Sequence, residues 1–219
     1  MQAISKLNPE LAKILTEFSD FFYGRDFSHL EPLIGKTKGF EKIAIKEKME
    51  EATSLDYLIK ALDNPKEYGY PRYSWGLELV HDRGNIEDKQ LIEMSTKTNS
   101  KLMDFFGARN NALQMFYPTG GYIGWHHNGN APGYNIVLSC NPGADGEFES
   151  WDLEKKELVV FKDQPGWNCK VGYFGDLWKE PDQIFWHCAR TRSPRLTFSY
   201  VIYDKNLWQD MVDDINYDR

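Results

Sequence analysis

Apolar residues change their spacing near residue 107. Before it, Leu11, Ile14, Leu15 and Phe18 recur at the i, i+3, i+4, i+7 interval of an amphipathic helix, in a segment opened by Asn8-Pro9 with proline at an early helical position. Residues 40–62 (FEKIAIKEKMEEATSLDYLIKAL) are less regular and predict one or two helices ended by Asp63-Asn64-Pro65. The stretch Tyr68 to Trp75 is aromatic and broken by Pro and Gly, which predicts a loop or edge strand. From Ile86 to Phe106 the helical spacing returns, with Gly107 placed to cap its C-terminus.

Beyond Gly107 the chain becomes short runs of aromatic and β-branched residues separated by turn signals. The predicted strands are Ala112 to Tyr117, Tyr122 to His127, Tyr134 to Cys140, Glu147 to Trp151, Glu157 to Lys162, Asn168 to Phe174, Ile184 to His187 and Arg195 to Tyr203. Eight short strands with Pro, Gly and Asn between them predict a sandwich or jelly roll, two small sheets with a mouth at one end. Helices before and strands after predict an α+β fold in which a helical buttress packs on one β core. A single domain then covers 1–219, mainly helical over 1–107, β over 108–204, with a C-terminal tail over 205–219.

Composition agrees with a packed core: 41% of the 219 residues are hydrophobic, 15% aromatic and 27% charged, which excludes a disordered or coiled-coil chain. With 26 Lys+Arg against 33 Asp+Glu the net charge is -7, the wrong sign for a protein whose affinity comes from neutralising phosphates, so a polynucleotide partner is disfavoured. No apolar run approaches a membrane span, and the N-terminus lacks a basic-then-apolar signal pattern. A cytoplasmic location with no membrane partner is the expectation. Cys140, Cys169 and Cys188 are odd in number and share no C-x-x-C spacing, so they predict buried free thiols and not a disulfide framework or thiolate zinc site.

Of five histidines, His126, His127 and His187 sit beside strand ends in the β half. Strand alternation sends His126 and Asn128 to one face and His127 to the other. His187 ends one strand, and Arg195 follows eight residues later in a strand where Thr197 and Ser199 share its face. Two imidazoles converging at a barrel mouth can hold a borderline metal such as Fe(II), and an arginine deeper in can hold a carboxylate bidentately. His29 and His81 predict surface or packing roles. Arg190 and Arg192 flank the loop after His187, placed either to meet an anionic substrate or to lie in a solvated turn. Tyr70, Tyr73 and Trp75 predict either a roof over the pocket or core packing.

The segments FYPTGGYIGWHHN, PGWNCKVGYFGD and FWHCARTRSPRLTFSYVI, within residues 108–204, resemble the 2-oxoglutarate- and Fe(II)-dependent oxygenases. The lead-in Tyr117-Pro118-x-Gly120-Gly121-Tyr122 before Gly124-Trp125-His126 is similar to that of prolyl hydroxylases, and the form W-H-x-N to oxygenases of phages and marine bacteria. The resemblance implies a double-stranded β-helix (jelly-roll) core. It implies His126 as first metal ligand, His187 as distal ligand, Arg195 as anchor for the far carboxylate of 2-oxoglutarate, Thr197 as its companion and Tyr117 as a further donor. The implied cofactors are Fe(II), 2-oxoglutarate and O2, with ascorbate as an accessory reductant. The implied reaction is hydroxylation of a C–H bond with release of succinate and CO2. The family acts on peptides and on small molecules, so the resemblance leaves the substrate open, and the oligomeric state with it.

The family's carboxylate ligand is replaced by Asn128, whose amide can offer only a neutral oxygen. Three readings follow. Asn128 is a weak third ligand; or the position is open, as in the halogenase branch, where halide binds iron; or the carboxylate comes from Glu147 or Glu149. A register placing His127 and Gly129 on a halogenase-like His-x-Gly pattern ranks below His126. Outside the oxygenase reading stand a β-helix domain that binds without catalysing and a cupin-like metal enzyme that uses no keto acid.

Overall fold

The computed structural model describes residues 1–36, 40–80, 86–109 and 111–217. In chain order its elements are β1 (Gln2–Ile4), α1 (Pro9–Tyr23), α2 (Met49–Ala52), α3 (Leu55–Leu62), β2 (Ser74–Trp75), β3 (Leu77–Glu78), α4 (Lys89–Phe106), β4 (Asn111–Tyr117), β5 (Tyr122–His126), β6 (Gly133–Cys140), β7 (Glu147–Asp152), β8 (Glu157–Lys162), β9 (Trp167–Phe174), β10 (His187–Arg190), β11 (Arg195–Ile202) and α5 (Lys205–Ile215).

The strands form two antiparallel sheets, a larger one ordered β1-β9-β6-β11-β4-β3 and a smaller one ordered β2-β5-β10-β7-β8. Consecutive strands from β4 to β9 mostly cross between sheets, and β10 and β11 then insert between earlier strands, which is the strand order of a jelly roll. The larger sheet separates its residues sharply by face. Leu196, Phe198, Tyr200 and Ile202 of β11 join Ile136 and Leu138 of β6 in a core with Leu11, Leu15, Phe18 and Phe22 of α1 and Leu91, Leu102 and Phe106 of α4. Phe18 meets Phe198 edge-on at 5.2 Å between ring centroids. The intervening residues, Arg195, Thr197 and Ser199 among them, face the other sheet. Each large apolar side chain so buried contributes roughly 1.5–3 kcal/mol, so the helix-covered face carries much of the stability. A second cluster on the outer side of the smaller sheet joins Trp125, Trp186 and Cys188 to Tyr57, Leu58 and Ala61 of α3 and to Tyr68.

Local rules account for the helix ends. Asn8 accepts from the backbone N–H of Glu10 and Pro9 opens α1; Ser54 caps α3; Asp88 accepts from Leu91; and Gly107 adopts φ 60°, the left-handed cap glycine permits without strain. Ser54 is also why the 40–62 segment divides into α2 and α3. The structure differs from the sequence reading at several places: α4 begins at Lys89 and not at Ile86, and Leu77–Glu78 add the short strand β3. The tail contains α5, capped by Asp204, whose side chain accepts from Asn206 and Leu207. The N-terminal residues Gln2–Ile4 add an edge strand against β9. And His187 begins a strand instead of ending one: Pro181–Gln183 form a short 3-10 turn, and pairing with β5 and β7 starts only at His187. Cys140, Cys169 and Cys188 are free and buried. Among the described residues, no helix is long and apolar enough to cross a membrane.

Candidate active site

His126 is the last residue of β5 and His187 the first of β10, and the two stand directly opposite each other across the antiparallel pair. Their ring centroids are 4.2 Å apart, tilted by 50°. His126 holds the Gly124 carbonyl at 2.8 Å through Nδ1, and His187 holds the Phe185 carbonyl at 2.8 Å in the same way. A carbonyl only accepts, so each ring carries its proton on Nδ1 and leaves the Nε2 lone pair unprotonated. Burial holds the His126 pKa well below its ordinary value, with the neighbouring His187 adding to the effect. Burial likewise brings His187 down to about 4, against the opposing bond from Phe185. Phe148, Phe174 and Phe185 surround His187 at 5.5, 4.9 and 5.5 Å between centroids. The arrangement is a neutral, buried pair of imidazoles with matched tautomers.

His127 is built the opposite way. Gly129 donates its N–H to Nδ1 at 2.8 Å, so the proton sits on Nε2, which donates to the Pro65 carbonyl at 2.8 Å. Its ring lies edge-on to Trp186 on the outer side of the smaller sheet. Both nitrogens are engaged, which removes His127 and Gly129 from the metal readings. His29 lies 3.5 Å from Asp88 on the surface, and His81 falls outside the described residues.

Asn128 does not follow the alternation expected of it. The strand ends at His126, and Asn128 takes the left-handed conformation (φ 51°) in a turn whose carbonyl accepts from Ala131. Asparagine is among the few side-chain-bearing residues that enter this region readily, so the turn itself favours it. Glu147 and Glu149 do not supply a carboxylate either. In register they face Arg190 and Cys188 on the outer side of the smaller sheet, and Arg190 bonds both, at 3.0 and 2.9 Å. Burial raises Glu149 above the usual carboxylate range in spite of Arg190. Arg190 is thus the last residue of β10 and is paired with two carboxylates; with Arg192 it lines a surface cavity away from the histidines. Among the described residues, no three His, Cys, Asp or Glu side chains converge as a metal site.

At the other end of the interior lies a charged floor. Arg195 stands opposite Tyr117 across β11 and β4. It donates from Nε to Asp163 Oδ2 at 2.7 Å, from Nη2 to Asp163 Oδ1 at 3.2 Å, and from Nη1 to Thr197 Oγ1 at 3.1 Å. Asp163 also accepts from Ser139 at 3.3 Å and lies 3.8 Å from the Lys170 ammonium. Burial pushes Asp163 up, but Arg195 and then Lys170 outweigh it and the net displacement is downward. Burial raises Tyr117, and Arg195 partly offsets the rise. A Cβ at Gly146 would collide with Asp163 Oδ2 and press on Arg195, so glycine there lets the carboxylate reach the guanidinium. Asp163 and Lys170 were not singled out in the sequence. The detectable signal was a lysine at an inward-facing position of the predicted strand Asn168 to Phe174.

Tyr70, Arg72, Asn130, Leu177 and Trp178 line a surface cavity of about 530 Å³ whose walls include neither His126 nor His187. Tyr70 lines this cavity and is exposed; Tyr73 packs with the α3 cluster and Trp75 against the helix-covered core.

No family model matches the chain, and no curated protein matches it. Solved structures do. A Pseudomonas putida prolyl-4-hydroxylase aligns at 12% identity over 73% of this chain and 86% of that one, with a TM-score of 0.35. A Trichoplax adhaerens prolyl hydroxylase, in complex with a peptide fragment of the hypoxia inducible factor oxygen degradation domain, aligns at 9% identity over 91% and 81%, with a TM-score of 0.43. A viral collagen prolyl hydroxylase of Paramecium Bursaria Chlorella virus-1 aligns at 11% identity over 73% and 92%, with a TM-score of 0.30.

Proposed function

We propose that the protein is a 2-oxoglutarate- and Fe(II)-dependent oxygenase on a double-stranded β-helix, hydroxylating a C–H bond of a small molecule or peptide with release of succinate and CO2. The observation that carries the reading is the His126–His187 pair: two cross-strand imidazoles, both neutral, both with Nδ1 tied to backbone, both offering Nε2 to the same interior. That donor set fits two positions of a first-row divalent ion, and backbone bonds of this kind orient ligand histidines. His126 and His187 would hold Fe(II), with the Asn128 oxygen as the third candidate; the bound ion would supply the oxygen chemistry. Tyr117, Thr197 and the Arg195 floor would orient the keto acid, and the phenylalanines around His187 would exclude water. Because no carboxylate faces the histidines among the described residues, the protein's own ligand set is neutral.

The Asp163–Arg195 pair supports one second reading. The fork expected to hold the keto acid already holds a carboxylate, as it would in a chamber that binds a ligand without turning it over. Anaerobic addition of Fe(II) and then 2-oxoglutarate separates the two. A visible absorption band that appears in wild type, disappears in His126→Ala and His187→Ala, and is followed by succinate release in air supports the oxygenase; chloride dependence of the product would identify the halogenase variant. Absence of metal binding in wild type sinks the oxygenase reading.

A further inference from the structure

The floor holds two buried cations and one anion. Arg195 sets one edge of its guanidinium on Asp163 and donates once from its other terminal nitrogen to Thr197. Lys170, on β9 across β6 from β11, is only 3% exposed, yet among the described residues its ammonium has a single long hydrogen bond, to Ser139 Oγ at 3.4 Å, and stands 3.8 Å from Asp163 Oδ1. Asp163 cannot neutralise both cations, so one positive charge is left over in a place where an uncompensated ion is strongly disfavoured. Burial, then repulsion by Arg195, lower the Lys170 pKa to about 8, which still leaves most of it protonated at neutral pH.

Register places Lys170 between the two ends of the chamber. It stands opposite Val137, which stands opposite Ser199, whereas Arg195 stands opposite Tyr117 at the far end of β4. Its ammonium lies 5.9 Å from the centre of the Phe148 ring, and that ring stacks on His187 at 5.5 Å. A molecule reaching inward from the histidines therefore meets Lys170 before Arg195. Arg195 keeps one N–H on each terminal nitrogen, but its charge is already matched by the two bonds to Asp163, whereas Lys170 has both unspent donors and the unspent charge.

We propose that Lys170 is the residue that binds the far carboxylate of the keto acid, with Asp163 staying on Arg195 as a resident counter-ion and Arg195 acting as a positioning residue. The proposal rests on the oxygenase reading for the identity of the ligand. The leftover charge admits one carboxylate and no more, so the chamber selects an acid whose other end is taken up at the histidines.

The test uses the full chain and two probes: glutarate without metal, followed by thermal denaturation, and 2-oxoglutarate with redox-silent Mn(II), followed by calorimetry. Lys170→Met removes the leftover charge while keeping a chain of similar length, so it should melt no lower than wild type; should it fail to fold, Lys170→Gln carries the same comparison. Expected are a glutarate-induced rise in wild-type Tm that the variant lacks, and a loss of about 30-fold in 2-oxoglutarate affinity, the scale of one charge-assisted contact. Lys170→Arg should recover most of the affinity. A wild type that binds Mn(II) and 2-oxoglutarate beside an equally tight Lys170→Met variant overturns the assignment and leaves the metal site standing. A wild type that takes glutarate through Lys170 but no Mn(II) keeps the assignment and overturns the oxygenase reading, and one that binds neither probe overturns both.

Discussion

The two faces of the larger sheet are made by the same strands and do opposite work. On β11, Leu196, Phe198, Tyr200 and Ile202 sink into a helix-covered core, while Arg195, Thr197 and Ser199, one residue out of phase, are buried on the face turned to the smaller sheet. Both faces are buried. The first gains from every group it removes from water; the second must compensate each one with a partner, and at Lys170 it does so incompletely. Burial alone therefore does not distinguish stabilising residues from functional ones. The state of the partners does.

Four substitutions break or sharpen this contrast. Asp163→Asn should have the largest effect, about 3–5 kcal/mol at pH 7, because it strands Arg195 and Lys170 together. Its folded pKa is depressed, so the stability Asp163 supplies is fully present above its unfolded value near 4 and is lost as pH falls through the lower folded value. Denaturant titrations of wild type and variant should thus converge in acid, and a gap that persists there would refute the charge argument. Phe198→Ala on the other face should cost about 3–5 kcal/mol at most, through lost transfer energy and a cavity against Phe18 and Trp167. That loss should not depend on pH, and glutarate should still raise the variant's Tm; a lost response would mean the faces are coupled. Thr197→Val keeps the shape and removes the acceptor for Arg195 Nη1, a change of about 1 kcal/mol. A Tm equal to wild type would show that Asp163 alone orients the guanidinium. Asp88→Ala, which unfastens the cap of α4 and the bond from Arg25 at 2.8 Å, should cost about 1 kcal/mol or less and leave ligand binding untouched.

Legibility followed the reach of each interaction. The helix at 9–23, the left-handed cap at Gly107 and most β strands to within a residue or two are set by neighbours in sequence, and spacing alone located them. Motif and alternation single out His126, His187, Arg195 and Thr197, and the family resemblance adds Tyr117; folding sets His126 opposite His187 and Arg195 beside Thr197 and Tyr117. Asn128 lies past the end of β5 in a left-handed turn, where strand alternation no longer says which way a side chain points. Glu147 and Glu149 were open candidates because one strand's alternation does not say which face is inside; the register with β10 does.

What the sequence determined by itself is the local layer: where backbone hydrogen bonds can be closed by helix or strand, where caps and glycines end them, and which residue types could bear metal or carboxylate. What only tertiary structure decided is pairing. His126 and His187 are matched and His127 excluded because each imidazole's proton is placed by a carbonyl or amide that folding brings to it. Asp163 and Lys170 form a floor with Arg195 because the register of the larger sheet sets β9 across β6 from β11, and the facing of the two sheets brings Asp163, just past the end of β8, against the guanidinium. The physical reason is that a charge's effect depends on its distance to other charges through a dry interior, and that distance exists only once the chain has folded.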